Sequence, residues 1–401
     1  MPVTIASPLT LPCGVTLNNR LAKAAMSEQI AQANGAPSEK LIRLYANWGR
    51  GGAGMLLTGN VMIDHNALVE PRNAILEDDK HLEHISRWAR AGKAHGAAMI
   101  MQINHPGRVP VLPLLRQPVG PSAIRPGQLG YNLRKPRALS ETEVKDLIAR
   151  YARTAKLAVD TGFDGVQVHA AHGYLLSQFL SPKANNRDDE YGGDPKRRMA
   201  LLLEVVEAVR AAIGSAKVLA VKLNSADFEK GGFTTEESVD VALALEAAGI
   251  DLLEISGGNY EAPAMTGIVK NSTASREAYF LSYAEGLREL SKVPLMLTGG
   301  VRTAEFMNEV LGSGAVDVIG LGRPMAIHAD YPDRLLAGTA PERLPAAPRA
   351  DFGPLDAWMQ LAWHAANFER IANGSQKPVT PGLIRGLTKA TVTISRKALT
   401  Q

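Results

Sequence analysis

From about residue 20 to 325, short β-branched or aliphatic runs alternate with amphipathic stretches of helical period, and this alternation constrains the fold more than any other feature. The runs predict strands at Leu21–Met26, Met55–Gly59, Ala98–Asn104, Gly165–His169, Val218–Asn224, Leu252–Ser256, Leu295–Thr298 and Val316–Leu321. Most are continuously apolar, as parallel strands covered on both faces are. The stretches between them predict helices near 38–50, 78–95, 140–161, 196–213, 235–248, 275–291 and 303–312. Ser140-x-x-Glu143 and Thr234-x-x-Glu237 are capping boxes that would start two of these helices. Gly162, Gly249 and Gly314 would end three of them in the left-handed conformation before the chain returns to a strand.

Eight parallel strands, seven helices between them and a closing one make an α/β fold, the (β/α)8 TIM barrel. Such barrels take ~250 residues, so the chain has length to spare. The surplus reads as a Pro/Gly-rich lid insert at about 105–139, after strand three, and a C-terminal helical extension. The expected division is therefore a barrel over 1–340 and an extension with a basic tail over 341–401. Gly49-x-Gly51-x-x-Gly54 formally matches a dinucleotide fingerprint. It follows a helix and precedes a strand, the reverse of the order a phosphate-binding turn needs, and reads as a tight return.

Composition narrows the class. Hydrophobic residues are 45% and charged residues 21%, as in a globular chain. No apolar run nears the ~18 residues that cross a bilayer, and the N-terminus lacks a basic n-region, so a cytoplasmic protein is expected. Cys13 is the only cysteine, which leaves no intrachain disulfide and no cysteine-ligated cluster. The net charge is +4, of which the segment from Ile371 onward carries +5 with no acid. Those charges are spread too thinly for a nucleic-acid or membrane surface, and neither partner is expected.

Polar residues gather at the C-terminal ends of the predicted strands, where barrels build their sites. Gly299-Gly300 after strand seven and Gly322-Arg323 after strand eight suit a phosphate, with open backbone N–H groups and a bidentate cation. His169-x-x-His172 lacks the further ligands of a metal pair. It reads either as two satisfied core histidines or as paired donors to one substrate oxygen, with Tyr174 two residues on as a proton donor. Lys222, in a buried strand, needs a negative partner. It could form a Schiff base or face an electron-rich ring. Gln102 offers donor and acceptor to a pyrimidine-like edge.

The set Leu17-Asn18-Asn19-Arg20…Met26, Thr58-Gly59-Asn60, Gln102-x-x-His105-x-Gly107-Arg108, His169-x-x-His172-Gly173-Tyr174-Leu175-Leu176-x-Gln178-Phe179-Leu180-Ser181-Pro182, Asn186-Arg187-x-Asp189-x-Tyr191-Gly192-Gly193 and Gly322-Arg323-Pro324 resembles the Old Yellow Enzyme family of FMN-dependent NAD(P)H:flavin oxidoreductases. The resemblance covers about residues 3–335 and points to the two-histidine subclass. It implies FMN across the barrel mouth, with Ala24, Ala25, Met26, Ser27 and Gly59 lining it. Gln102 would bond its pyrimidine edge, and Lys222 would sit near N1 and the C2 carbonyl. Gly299, Gly300, Gly322 and Arg323 would hold its phosphate. His169 and His172 would bind the substrate oxygen and Tyr174 would protonate the substrate. The chain departs from the usual pattern at Ala25, often Pro, at Ser27, often Thr or Cys, and at Lys222, often Arg.

NADH or NADPH is the electron donor so implied, an electron-poor alkene the acceptor, and a homo-oligomer the expected assembly. The stretch 354–373, with Trp358, Trp363 and Phe368, would bury either a partner face or its own barrel. Amine or ether oxidation, as in demethylating relatives, and a Lys222-based barrel lyase are the alternatives.

Overall fold

A computed structural model describes residues 2–109, 117–127, 134–258, 280–341, 343–345, 353–375 and 377–379. Eight strands form its centre: β1 (Leu21–Lys23), β2 (Met55–Leu57), β3 (Ala98–Asn104), β4 (Gly165–Ala170), β5 (Val218–Asn224), β6 (Leu252–Ser256), β7 (Leu295–Thr298) and β8 (Val318–Leu321). Each pairs in parallel with the next, and β8 pairs with β1 through Ile319 opposite Leu21 and Leu321 opposite Lys23, so the barrel is closed. The fold class read from the strand pattern is the one observed.

The helices are α1 (Glu39–Gly49), α2 (Leu82–Lys93), α3 (Glu141–Asp160), α4 (Pro195–Ile213), α5 (Thr235–Ala247), α6 (Leu281–Leu290), α7 (Ala304–Gly312) and α8 (Gly353–Ala372). Both capping boxes form, with Ser140 and Thr234 accepting from Glu143 and Glu237 while those side chains reach back. Gly162, Gly249 and Gly314 take φ of 104°, 79° and 78° as helices α3, α5 and α7 return to strands. In the Gly49–Gly54 return, a Cβ at Gly51 would meet the Ala329 carbonyl oxygen at 1.9 Å. That glycine serves close packing, not phosphate.

Period-two alternation divides the strands into two surfaces. Ala22, Met55, Leu57, Ala98, Ile100, Ala220, Leu252 and Met296 face inward. They form one cluster with Leu11 and Leu17 from an antiparallel N-terminal pair, Leu9–Thr10 with Thr16–Leu17, which plugs the barrel at the start of its strands. The alternate residues, such as Met99, Val166, Leu219 and Leu253, face the helices.

The stretch near 354–373 packs on its own barrel. Helix α8 lies against α1, where Asn47 Nδ2 donates to the Ile371 carbonyl (2.6 Å) and the Trp48 and Phe368 rings meet edge to face at 5.6 Å. Trp363 and Phe368 are buried there; the Trp358 side chain lies outside the described residues. Within the insert, Val119–Gly120 pairs with Arg137–Ala138, and 110–116 and 128–133 lie outside the described residues. Of the tail's basic residues only Lys377 is described. Among the described residues no helix is long and apolar enough to cross a membrane.

Candidate active site

Above the apolar layer the inward positions turn polar: Gln102 on β3, Gln167 and His169 on β4, Lys222 and Asn224 on β5, Glu254 and Ser256 on β6, and Thr298 on β7. Register fixes their neighbours. Gln102 stands opposite Gln167, Lys222 opposite both His169 and Glu254, and Asn224 opposite Ser256. Glu254, which the sequence reading passed over inside the run Leu-Leu-Glu-Ile-Ser, answers the need of Lys222 for a negative partner at 2.9 Å. A lone acid at an inward position of an apolar strand was the available signal.

His169 is buried, and its Nδ1 accepts from the Ala171 N–H at 3.2 Å. The proton of the neutral ring therefore sits on Nε2, leaving a donor free. His172 adopts φ of 62°, held there by the Asn224 side chain, which accepts from its N–H at 3.1 Å. Its Nε2 lies 2.7 Å from Ser256 Oγ. With Ser256 donating, the remaining proton of His172 is on Nδ1. Burial first, then the charge of Lys222, hold both imidazoles well below the usual histidine range, so both rings are neutral. The Tyr174 ring meets His169 edge to face at 4.8 Å, and His169 and His172 rings are 5.1 Å apart. The structure thus brings the three together.

The two distant motifs lock onto one another through Gln178. Its Oε1 accepts from the Arg108 N–H (3.1 Å), and its Nε2 donates to the carbonyls of Pro106 (3.0 Å) and Gly173 (2.7 Å). Gly107, at φ of 63°, leaves the space Gln178 occupies: a Cβ there would lie 2.2 Å from Oε1. Arg187 ion-pairs with Asp189 and donates to the Pro121 carbonyl, tying the insert to the barrel.

His105, in the first of these motifs, is buried and pushed down to about 4 by burial. Between pH 6.5 and 4 the unfolded chain takes up a proton there that the native state refuses. Stability is therefore expected to fall by roughly 2 to 3 kcal/mol from this residue as pH drops through that window. Urea unfolding of wild type and His105→Asn at pH 7 and 4.5 checks it: the variant should lose less on acidification.

Strand β1 ends at Lys23 rather than Met26. Ala24 N–H makes a last bond to the Leu321 carbonyl (3.0 Å), and residues 25–27 leave the sheet. Ala24 is buried; Ala25, Met26 and Ser27 are half-buried, and Ser27 Oγ donates to the Glu70 carboxylate. Behind them, Lys23 lies on the outer face of the barrel beside Glu28 and Tyr45, a cluster the sequence reading did not assemble. Gly59 N–H donates to Glu28 Oε1 (3.1 Å) and Tyr45 Oη (3.0 Å), and a Cβ at Gly59 would meet the Met26 carbonyl at 2.3 Å. Gly299 and Gly300, at φ of 130° and 77°, turn the chain after β7. Gly322 precedes the short helix Arg323–Ile327 with open space around it, and the Arg323 side chain is exposed.

The mouth also holds buried polar atoms without a protein hydrogen-bond partner: both amide atoms of Asn104, Asn60 Oδ1 and Thr298 Oγ1. At about 1–3 kcal/mol for each unsatisfied group, such a set at one end of a barrel suits a bound ligand. A flavin, with ring nitrogens, two carbonyls and a phosphate for the glycine turns, fits these donors and acceptors.

A closed parallel barrel with a polar mouth and glycine turns after its last two strands defines a barrel enzyme with a phosphate-bearing cofactor. Residues 5–342 match the NADH:flavin oxidoreductase / NADH oxidase family. The chain is 38% identical to an NADH-dependent flavin oxidoreductase of Talaromyces variabilis, over 82% of this chain and 85% of that one. It is 36% identical to one from Hypocrea jecorina, over 82% and 88%. It superposes on an old yellow enzyme homologue from Zymomonas mobilis with a TM-score of 0.72 and 28% identity, covering 86% and 95% of the two chains. The chain belongs to this family, the Old Yellow Enzyme family of NADH:flavin oxidoreductases, and is an enzyme whose cofactors are FMN and NAD(P)H.

Proposed function

We propose that this flavin oxidoreductase reduces electron-poor alkenes, α,β-unsaturated ketones and aldehydes, in two alternating half-reactions. The observation that carries the reading is the constellation of His169, with its free Nε2–H, His172 and Tyr174 at the mouth of the barrel. When bound, FMN would supply hydride-transfer chemistry between NADH or NADPH and the alkene. Ala24 to Ser27 and Gly59 line the flavin in this reading, Gln102 and Lys222 meet its pyrimidine side, and Gly299, Gly300, Gly322 and Arg323 hold its phosphate.

His169 Nε2–H and the free ring N–H of His172 bond the substrate carbonyl oxygen. Because both rings are neutral, they strengthen their bonds as negative charge develops on that oxygen, without first having to lose a proton. Tyr174 delivers a proton to the α-carbon. Its phenol stands edge-on to His169, so substrate held by the imidazole lies beside the acid. Tyr174 packs in a buried apolar cluster with Met62, Leu68, Val69 and Val109, which would keep water from competing for that proton.

An anaerobic absorbance titration tests the reading. The flavin bands are expected to bleach with NADH or NADPH and to return on adding cyclohexenone. Bleaching without return would overturn the enone reading and leave the flavin oxidoreductase.

A further inference from the structure

Glu254 is fully buried inside the barrel, its carboxylate ion-paired through one oxygen and hydrogen-bonded through the other. One oxygen lies 2.9 Å from Lys222 Nζ; the other accepts from Gln167 Nε2 at 2.7 Å. Gln167 Oε1 in turn accepts from Gln102 Nε2 at 2.8 Å. The four side chains form one directed chain across β3, β4, β6 and β5.

Its direction follows from chemistry. An ionised carboxylate only accepts. Gln167 must therefore turn its NH2 toward Glu254 and its carbonyl toward Gln102, and Gln102 must turn its NH2 toward Gln167. That leaves Gln102 with its carbonyl oxygen and one N–H for a ligand, the acceptor–donor pair that a flavin's N3–H and neighbouring carbonyl require. The same carboxylate offsets the buried charge of Lys222. In a low-dielectric interior that pairing changes how strongly Lys222 favours a negative ligand.

We propose that Glu254 is a positioning residue for FMN. It sets the orientation of the Gln102 amide through Gln167, and it limits the preference of Lys222 for reduced flavin, so the chain's reduction potential is lower than Lys222 alone would give. The inference rests on Lys222 and Gln102 holding the flavin.

Glu254→Gln keeps the shape and removes the charge. An amide at 254 offers its oxygen to Lys222 and its NH2 to Gln167, which reverses the chain and leaves Gln102 presenting only donors. Oxidised FMN is expected to bind about tenfold more weakly. The ratio of oxidised to reduced dissociation constants is expected to rise about tenfold, a positive shift of about 30 mV for a two-electron couple. Lys222→Met is expected to move the ratio the other way, and the Lys222→Met/Glu254→Gln pair to bring it back to within threefold of wild type.

The measurements are FMN binding to the refolded apoprotein and the midpoint potential of the holoenzyme by dye equilibration. If Lys222→Met shifts the potential and Glu254→Gln does not, the role of Glu254 is overturned. If neither shifts it, the placement of Lys222 beside the flavin fails as well. Should Glu254→Gln not fold, the paired variant decides: a potential as low as that of Lys222→Met alone overturns the proposal.

Discussion

Replacing Tyr174 with Phe is expected to slow alkene reduction by about 10²–10⁴-fold, the range of a lost general acid, and to leave flavin reduction by NADH within about twofold. The ring that remains keeps its packing against Met62, Leu68, Val69, Ile75 and Val109 and its edge-on contact with His169. Its backbone stays fixed, since Tyr174 N–H donates to the Ala171 carbonyl and the Tyr174 carbonyl accepts from Gln178 N–H. Only the hydroxyl is lost. The coenzyme half-reaction needs no proton from the enzyme at the substrate α-carbon, whereas the alkene half-reaction does. Anaerobic stopped-flow of each half-reaction separates them. Equal loss in both, or none in either, would sink the proton-donor role.

The strand pattern carried the barrel because seven of the eight strands are buried at every residue and hold no competing period. Where the pattern overran, hydrogen bonding was the reason. Ala25 and Met26 are as apolar as the strand before them, but β8 ends at Leu321, whose carbonyl takes its last bond from Ala24 N–H, so nothing remains for them to pair with. The N-terminal plug was illegible because two-residue strands have no period. The short helix Leu175–Leu180 was hidden for a related reason: all six residues are buried, so it shows no amphipathic stripe.

The candidate site divides in the same way. His169, His172 and Tyr174 lie within one short motif and could be read together. The partner of Lys222 could not, because it is set by the register of β5 against β6, and sequence shows a strand's residues but not what stands opposite. Lys23 illustrates the limit from the other side. Alternation alone puts it on the face opposite Ala22 and Ala24, away from the mouth. Its partners come from a loop and from α1, which only the folded chain brings near.

That cluster is where the largest stability effect is expected. Lys23 is fully buried, its ammonium over the Trp48 ring at 4.4 Å from the centroid, donating to the carbonyls of Leu57 (2.8 Å) and Ala24 (3.2 Å). Glu28 Oε1 stands 3.8 Å away and accepts from Tyr45. Lys23→Ala removes the buried stem, strands two carbonyls and leaves Glu28 without its cation. A loss of about 3–5 kcal/mol is expected in urea unfolding. The pair Lys23→Met/Glu28→Gln keeps volume and removes both charges, so it is expected to recover most of that loss, the Ala24 carbonyl left without its donor accounting for the rest.

The pH dependence separates charge from packing. Burial pulls Lys23 down to about 8, against the opposing pull of Glu28. Between about 8 and the unfolded value of 10.5 the unfolded chain holds a proton that the native state has released, so wild-type stability is expected to rise with pH there, by up to about 3 kcal/mol. Lys23→Met removes that rise. A wild-type profile that is flat from pH 8 to 10.5, or a Lys23→Met profile that still climbs, would show that the ammonium is not the group in question. FMN retention should fall in the paired variant even where stability holds. The cluster ties Gly59 and the Ala24 carbonyl in place behind the segments proposed to line the flavin, and a methionine at position 23 would fill the space without donating to that carbonyl.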